Sequence, residues 1–471
     1  MNRKWQLLKY LTFDFLSAIT AWILFFMYRL SVQQHISSPV SFPELIRLIS
    51  YDLLLIPAYW LFLYYLTGYY GDVFRKSRLS EFGQTIAISF IGTLILFFAF
   101  QISHRTFIYE SSTLSPYLRL FTLHFTLTYL PRVVITTLTT HRVHRGEIGF
   151  NTLLIGSSVK ANEIYTEIIN QKRGSGNKFI GFISMNHNSH NTLANHLQHC
   201  GDLENIRHII DEKKVEEVII AIETSEHNMI NRILNKLIDV EVVVKAIPSM
   251  YDILTGRVRM SSILGTPLIS VSQSLMPTWQ ANVKSFLDYT ISLLAIIITL
   301  PISLFLMAGV KLTSKGPIFY SHERVGRYGK PFIIYKFRSM QSGAEKNGPE
   351  LSSRNDNRIT PFGKFMRKSR LDEIPNFFNV LKGDMSLVGP RPERKYFIDQ
   401  ITKEAPHYLH LLKVKPGITS WGQVKYGYAE NVDQMISRLK YDLIYLDNMS
   451  LYVDFKIIIY TVMTIIKRKG I

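Results

Sequence analysis

The stretch "YTISLLAIIITLPISLFLMAGV", Tyr289–Val310, decides how this chain is arranged. It is an apolar run close to the ~20 residues that a helix needs to cross the hydrocarbon of a bilayer. Lys284 precedes it and Lys311 and Lys315 follow, so both ends are basic. Pro301 lies near its centre, where it removes a backbone donor and kinks a helix. If the run crossed the membrane, everything after it would lie on the far side. That remainder is rich in Lys and Arg, and basic segments stay cytoplasmic. A helix over about 285–310, broken at Pro301, that enters one leaflet and returns reconciles the two signals. A straight fifth span is the alternative.

Composition agrees with a chain that meets lipid. Of 471 residues 47% are hydrophobic, yet the formal net charge is +18. Apolar and basic character together point to nucleic acid or an anionic membrane surface. The long apolar runs near the N-terminus favour the membrane, with no nucleic acid partner. A single cysteine, Cys200, leaves no internal disulfide and no cysteine-rich zinc site. The opening "MNRKWQLLKYLTFDFLSAITAWILFFMYRL" has no small-residue cleavage site after its apolar stretch, unlike a cleaved signal peptide.

Four apolar stretches, roughly 7–30, 49–70, 85–102 and 115–138, predict a four-helix transmembrane unit over 1–141. Arg3, Lys4, Lys9, Arg75, Lys76, Arg78, Arg142 and Arg145 flank one side. Only Arg29, Arg47 and Arg105 mark the other, so both ends of the unit face the cytoplasm. Arg119, His124 and Arg132 are costly in lipid and are expected near interfaces or facing the bundle, with a buried functional role the less favoured reading.

Residues 142–248 alternate strand-like and helix-like runs: "NTLLIG", "KFIGFIS", "VEEVIIAI" and "VEVVVKAI" separated by amphipathic segments. Such alternation predicts a Rossmann-like α/β domain with a parallel sheet. Its first turn, "GSSVKA", has one glycine where a dinucleotide fingerprint needs three, which favours a structural or regulatory domain over a nucleotide site. Residues 249–283 read as a connector, and 284–471 as an α+β domain.

Three clusters in that last part carry chemistry. In "ERVGRYGKPFIIYKFRSM", Gly326 and Gly329 mark a turn between two strands, and Lys336 and Arg338, two apart, project from one strand face. In "RKSRLDEIPNFFNVLKG", Pro375 opens a helix, which places Asp372 and Glu373 just ahead of its N-terminus, near Arg367 and Arg370. The helix dipole and those cations should keep both acids ionised, the state that nucleophilic attack or metal binding requires. In "GDMSLVGPRPER", Gly389, Pro390 and Pro392 lock a turn that presents Arg391, whose guanidinium matches phosphate oxygens. Trp421 reads as a headgroup-level or a core tryptophan, and the apolar C-terminus with Lys467, Arg468 and Lys469 reads as a membrane-surface segment. A membrane-seated, cation-lined site with an ionised acid pair suggests phosphoryl transfer between a soluble diphosphate and a lipid phosphate.

The segments "YKFRSM", "DNRITPFGKFMRKSRLDEIPNFFNVLKGDMSLVGPRPE" and "KPGITSWGQV" make residues 284–471 resemble the bacterial sugar transferase family, the monotopic phosphoglycosyl transferases. With the helices and the α/β domain ahead of it, the chain is similar to the large undecaprenyl-phosphate glucose or galactose phosphotransferases. The resemblance implies transfer of a hexose 1-phosphate, glucose foremost, from a UDP-sugar to undecaprenyl phosphate, with release of UMP, as the first step of exopolysaccharide or O-antigen synthesis. It further implies Asp372 as the nucleophile that carries a covalent phosphosugar, Glu373 as the second acid, and Mg²⁺ at the pair. Lys336, Arg338, Arg358, Arg367 and Arg391 match phosphate-binding positions, and the apolar helix with Pro301 matches the family's re-entrant helix. The implied location is the bacterial inner membrane, with the catalytic domain on the cytoplasmic face.

Where the family often has "PGITGWAQ", this chain has Ser420 and Gly422 around Trp421, expected as tolerated small-for-small changes. Galactose 1-phosphate or an N-acetylated sugar phosphate is the alternative cargo. A non-catalytic scaffold of polysaccharide assembly is the alternative class, and homo-oligomers or other assembly proteins are possible partners. A transporter built on the first four helices has little support, since no span shows paired charges.

Overall fold

The computed structural model describes residues 3–33, 51–71, 73–102, 115–171, 176–184, 192–222, 227–237, 240, 242–247, 268–270, 275–341, 343–344, 356–427 and 429–466. Most of the expected connector lies outside them, as do Arg47, Arg105 and the Lys467–Lys469 tail. The chain forms two compact units, Met1–Phe150 with Tyr165–Lys178, and Asn151–Ile164 with Phe179–Ile471.

In the first unit each apolar stretch is a helix: α1 (Arg3–Gln33), α2 (Asp52–Leu66), α3 (Arg78–Ile102) and α4 (Ser115–His144). Three segments among the described residues are long and apolar enough to cross a membrane: Arg3–Tyr28, Arg78–Ala99 and Thr278–Thr313. The chain is thus a membrane protein with a mixed α/β portion. Tyr10, Trp22, Trp60, Tyr64, Tyr69 and Leu120 form the core of the four helices.

That core contains a charged network which corrects the expectation that no span shows paired charges. Arg132 on α4 is fully buried and donates through Nε and Nη2 to the two oxygens of Asp14 on α1, both at 2.8 Å. Its Nη1 donates to Thr85 Oγ1 at 3.0 Å, and the Tyr70 hydroxyl donates to Asp14 Oδ2 at 2.8 Å. The guanidinium lies 3.7 Å and 4.0 Å from the ring centroids of Tyr69 and Tyr64. Glu81 accepts from the Tyr69 hydroxyl and from Thr136 Oγ1, and pairs with Lys76 at 3.4 Å. His124 stacks on Trp60 at 3.6 Å and shares a 2.8 Å hydrogen bond with the Tyr64 hydroxyl. Arg132 and His124 thus face the bundle and Arg119 is exposed over the Tyr28 ring at 4.2 Å, the two placements expected for these residues. Paired charges are therefore present within the helices. Asp14 and Arg132 are 118 residues apart, and only packing brings them together.

The second unit opens with a six-stranded sheet: β1 (Phe150–Ile155), β2 (Asn177–Ser184), β3 (His199–Asp202), β4 (Glu217–Ile220), β5 (Val243–Ala246) and β6 (Ile269–Ser270), in the order β3-β2-β1-β4-β5-β6. The β2–β3, β1–β4 and β4–β5 pairs are parallel, and β6 runs antiparallel to β5. Register sets Leu153 beside Val218 and Val218 beside Val244, so branched apolar residues stack through the middle of the sheet. The helices between strands are α5 (Val159–Ile169), α6 (Ile206–Lys213) and α7 (His227–Lys236); Ile206, Ile209, Ile210 and Ile233 seal the same core. Gly156, at φ +131°, packs its Cα against the Ala221 carbonyl. Its glycine character serves strand packing.

Beyond the sheet, α8 spans Thr278–Thr313 as one helix with Pro301 inside it. Pro301 does not end the helix, which begins earlier than 285 and runs on past the proline. A proline removes one amide donor and crowds one carbonyl, which bends a helix without ending it. Both ends of the apolar run are held by the same domain. At its start Lys284 donates to the Val388 carbonyl at 2.9 Å and pairs with Asp454 at 2.6 Å, while Asp288 accepts from Ser386 Oγ and Leu387 N. At its finish Leu306 and Val310 enter a core with Phe337, Met366 and Ile374. Between them Ile297, Ile298, Leu304 and Phe305 are exposed.

The rest of the domain is a hairpin, β7 (Phe319–Val325) and β8 (Pro331–Phe337), then α9 (Pro361–Lys368), α10 (Asn376–Lys382), β9 (Ser386–Val388), α11 (Lys395–Glu404), β10 (Gly417–Thr419), α12 (Trp421–Lys425), α13 (Val432–Asp447) and α14 (Leu451–Ile466). Thr360 caps α9 through the Gly363 amide, and Gly383, at φ +89°, ends α10 as a left-handed cap. β9 and β10 pair in parallel, so "SLVGPRPE" and "KPGIT" lie side by side, with Gly389 and Gly417 touching backbone to backbone. Trp421 is half-buried against Leu387, Val388, Tyr445 and Ile457, which favours its core reading.

Candidate active site

The acid pair sits on a single 3-10 turn, Leu371–Glu373, between α9 and α10. Arg370 enters it in the left-handed region at φ 53°, a conformation that costs a non-glycine residue energy and turns the chain sharply. Asn379 fixes the turn's distance from the hairpin. From inside α10 its amide donates to the Ile333 carbonyl at 2.7 Å and accepts from the Tyr335 amide at 3.2 Å, as an extra rung on the edge of β8.

The two adjacent carboxylates have opposite surroundings. Glu373 is gripped by Lys336 at 2.6 Å and lies 3.7 Å from both Arg370 and Arg391. Burial alone would raise its pKa, but Lys336, Arg391 and Arg370 outweigh burial and hold it well below the usual carboxylate range. Asp372 is buried and accepts from no other side chain among the described residues; only its own amide turns toward it. Burial first, and then the charge of Glu373, push its pKa upward, against the opposing pull of Lys336 and Arg367. The sequence predicts that both acids stay ionised; cations favour that state at Glu373, whereas burial opposes it at Asp372. One is a locked anion and the other a shielded carboxyl that neighbouring cations keep available.

The structure brings Lys336, Arg367, Arg391, Asp372 and Glu373 together. Arg367 is oriented by a 2.8 Å bond from its Nε to Ser339 Oγ. Arg338 goes elsewhere. It lies past the end of β8 and its Nη2 donates to the carbonyl and hydroxyl of Ser314, the residue that caps α8, at 2.9 and 2.8 Å. Its Nε and Nη1 are buried with no hydrogen-bond partner among the described residues. Helix C-terminal carbonyls attract a cation, which overrides the strand alternation that would have set Arg338 beside Lys336. Arg358 grips Asp356 in a two-pronged pair at 2.8 and 2.7 Å and thereby shapes its own loop. Pro301 lies within α8.

Sequence reasoning passed over Glu393. It is buried between Arg324 at 2.9 Å and Arg438 at 2.8 Å, and its amide-side neighbours in "GPRPE" carry Arg391. The signal was the lone acid closing a proline-rich turn. Asp288, an acid at the head of an apolar run, was legible in the same way.

A magnesium ion takes hard oxygen ligands and in phosphate-transfer sites is shared between one or two carboxylates and the substrate. Glu373 is committed to cations, and the described residues contain no group of three metal-ligating side chains. The donor set fits an ion shared between Asp372 and a ligand's phosphates, and does not fit a cage of protein ligands.

The fold and site define a membrane-associated domain with a buried acid pair set among cations. Residues 279–468 match the bacterial sugar transferase family, and residues 66–248 match a family described as a CoA-binding domain. The chain is 37% identical over 189 residues to an uncharacterized sugar transferase EpsL of Bacillus subtilis (strain 168), covering 40% of this chain and 89% of that one. It is 40% identical over 224 residues to a UDP-N-acetylgalactosamine-undecaprenyl-phosphate N-acetylgalactosaminephosphotransferase of Aeromonas hydrophila, covering 48% and 52%. It is 33% identical over 274 residues to a UDP-glucose:undecaprenyl-phosphate glucose-1-phosphate transferase of Xanthomonas campestris pv. campestris, covering 57% of each. This chain belongs to the bacterial sugar transferase family. Its matches span about half the length of the larger relatives.

Proposed function

We propose that the protein transfers a hexose 1-phosphate from a UDP-sugar to undecaprenyl phosphate, with Asp372 as the nucleophile. The observation that carries this reading is the Asp372 carboxyl, without a side-chain hydrogen-bond partner among the described residues, beside a carboxylate locked by Lys336, Arg370 and Arg391. An oxygen of Asp372 attacks the phosphorus nearest the sugar, the P–O bond to UMP breaks, and UMP leaves with that electron pair. The phosphosugar stays on Asp372 as an acyl phosphate. An oxygen of the lipid phosphate then attacks the same phosphorus, which frees the carboxylate and forms the lipid diphosphate sugar. Lys336, Arg367 and Arg391 orient the phosphates and spread their charge. Glu373 positions those cations. We assign Arg338, whose Nε and Nη1 have no partner among the described residues, to the lipid phosphate, while Arg358 holds its loop. Asp372 would hold Mg²⁺ jointly with the substrate phosphates, where the ion offsets their charge.

Glucose 1-phosphate is the favoured cargo, as the Xanthomonas relative's name indicates; the Aeromonas relative makes N-acetylgalactosamine 1-phosphate the second reading. The four N-terminal helices are read as spans of the bacterial inner membrane with the catalytic domain on the cytoplasmic face. We read α8 as re-entrant. From Asp288 to Val310 a helix rises by roughly 33 Å, about the full hydrocarbon thickness, yet both residues pack on one domain.

The test incubates membranes carrying the full chain with undecaprenyl phosphate and labelled UDP-glucose or UDP-N-acetylgalactosamine, and follows UMP release. An acid-quenched protein should carry one phosphosugar, lost in Asp372→Asn. UMP release unchanged in that variant overturns the nucleophile assignment. In a Cys200→Ser background, Lys284→Cys and Lys315→Cys should be labelled by an impermeant thiol reagent from the same face; labelling from opposite faces makes α8 a straight span.

A further inference from the structure

The inner face of the hairpin carries a residue that the proposed reaction has not yet used. Tyr320, His322 and Arg324 alternate along β7, and Tyr320 and His322 lie opposite Lys336 and Ile334 on β8. Opposed residues of an antiparallel pair share a face, so His322 stands diagonal to Lys336, the residue that grips Glu373. Arg324 Nε donates to His322 Nε2 at 2.6 Å. That assigns Nε2 as the acceptor and puts the ring proton on Nδ1. Nδ1 is buried and has no partner among the described residues. The ring also packs on Tyr320 at 5.1 Å, whose hydroxyl accepts from Arg394 at 2.9 Å.

A buried N–H without an acceptor is unfavourable unless a ligand completes it. The charges that act on this ring, Arg324, Arg394, Lys336 and Arg391, are all cations, a field that favours an incoming anion as the acceptor. Burial, followed by those four cations, pushes the imidazole's pKa down to about 2, so the ring stays neutral through the physiological range. It therefore adds a donor without adding a charge to an already crowded positive field.

Resting on the function proposed above, we infer that the His322 Nδ1–H donates to a phosphate oxygen of the bound nucleoside diphosphate sugar, making His322 a substrate-binding residue. Diagonal neighbours across an antiparallel pair lie about 7–8 Å apart. From Lys336 beside the acid pair to His322 is thus the reach of a diphosphate, whose second phosphate leaves with the nucleotide.

The experiment measures kcat and KM for UDP-sugar and for undecaprenyl phosphate, separately, in membranes carrying wild type, His322→Phe, His322→Leu and His322→Asn. UDP binding to the detergent-solubilised full chain provides a readout independent of turnover. The Phe and Leu variants should raise KM for the UDP-sugar and weaken UDP binding about tenfold, with little change in kcat or in KM for the lipid. Asn, which places an amide N–H close to the Nδ1 position, should recover most of the loss. A wild-type KM for the UDP-sugar in folded Phe or Leu variants sinks the assignment, and so does a shift confined to the lipid phosphate. Failure of wild type itself to release UMP condemns the reaction proposed above instead; UDP binding unaffected by the Phe and Leu variants then overturns this inference separately.

Discussion

Two clusters of buried charge lie in different regions of this molecule and are built to opposite rules. Among the N-terminal helices, Asp14 and Glu81 face Arg132 and Lys76, and the carboxylates accept from Arg132, Tyr69, Tyr70 and Thr136. Acids and bases are matched there. At the acid pair Glu373 is surrounded by cations, while among the described residues Asp372 has no side-chain hydrogen-bond partner and the His322 Nδ1 donor is unanswered. Buried charges balanced in sign stabilise one arrangement of helices, even though His124 Nδ1 and Lys76 Nζ there have no hydrogen-bond partner among the described residues; an excess of cations beside a buried carboxyl suits an anionic ligand.

The strongest way to break this contrast is Asp372→Asn. Phosphosugar capture and UMP release should fall at least about a thousandfold, since no other group replaces a nucleophile. The fold should not weaken. A carboxyl whose folded pKa lies above its unfolded value binds its proton more tightly in the native state, so its ionisation costs stability as pH rises through that window. At neutral pH the amide removes that cost, and the thermal midpoint should hold or rise. A clear drop in the midpoint would place Asp372 with the structural charges.

The opposite outcome is expected among the helices. Asp14→Asn or Arg132→Met leaves one buried charge unmatched and should cost about 3–5 kcal/mol, read by detergent unfolding. The double variant Asp14→Leu/Arg132→Met should recover much of that, and UMP release per folded molecule should stay near wild type. Single variants of wild-type stability would mean the network is not what holds these helices.

Lys336→Met sharpens the description of the site. Lys336 pulls the pKa of both acids down, so its loss should raise that of Asp372 further and shift the acid limb of kcat/KM to higher pH. Activity should fall by about 10–100-fold, more at pH 6 than at pH 8. An acid limb that does not move would detach Lys336 from Asp372. The smallest effect belongs to Gly422→Ala, which restores the residue common in the family. A Cβ there would lie 2.8 Å from Arg438 Cγ and from Asp442 Oδ2, so the small-for-small expectation meets a tight fit; side-chain shifts should limit the loss to about 1 kcal/mol.

The site was legible where its residues are close in sequence. Asp372, Glu373, Arg367 and Arg391 fall within one short segment, and Lys336 is marked by its strand. The different fates of the adjacent acids were not legible, because both share one local sequence while their partners come from β8 and from the proline-rich turn. Arg338 and Arg358 carry the right charge, yet Ser314 and Asp356 claim them.

The sequence by itself determined the apolar helices, the alternation that makes a parallel sheet, and the cationic segment around Asp372, since each depends on neighbours a few residues away. Tertiary structure alone decided which charges close on one another and which stay open. Asp14 meets Arg132 from 118 residues away, and Lys284 meets Asp454 from 170, because burial makes pairing obligatory without dictating how far along the chain the partner lies.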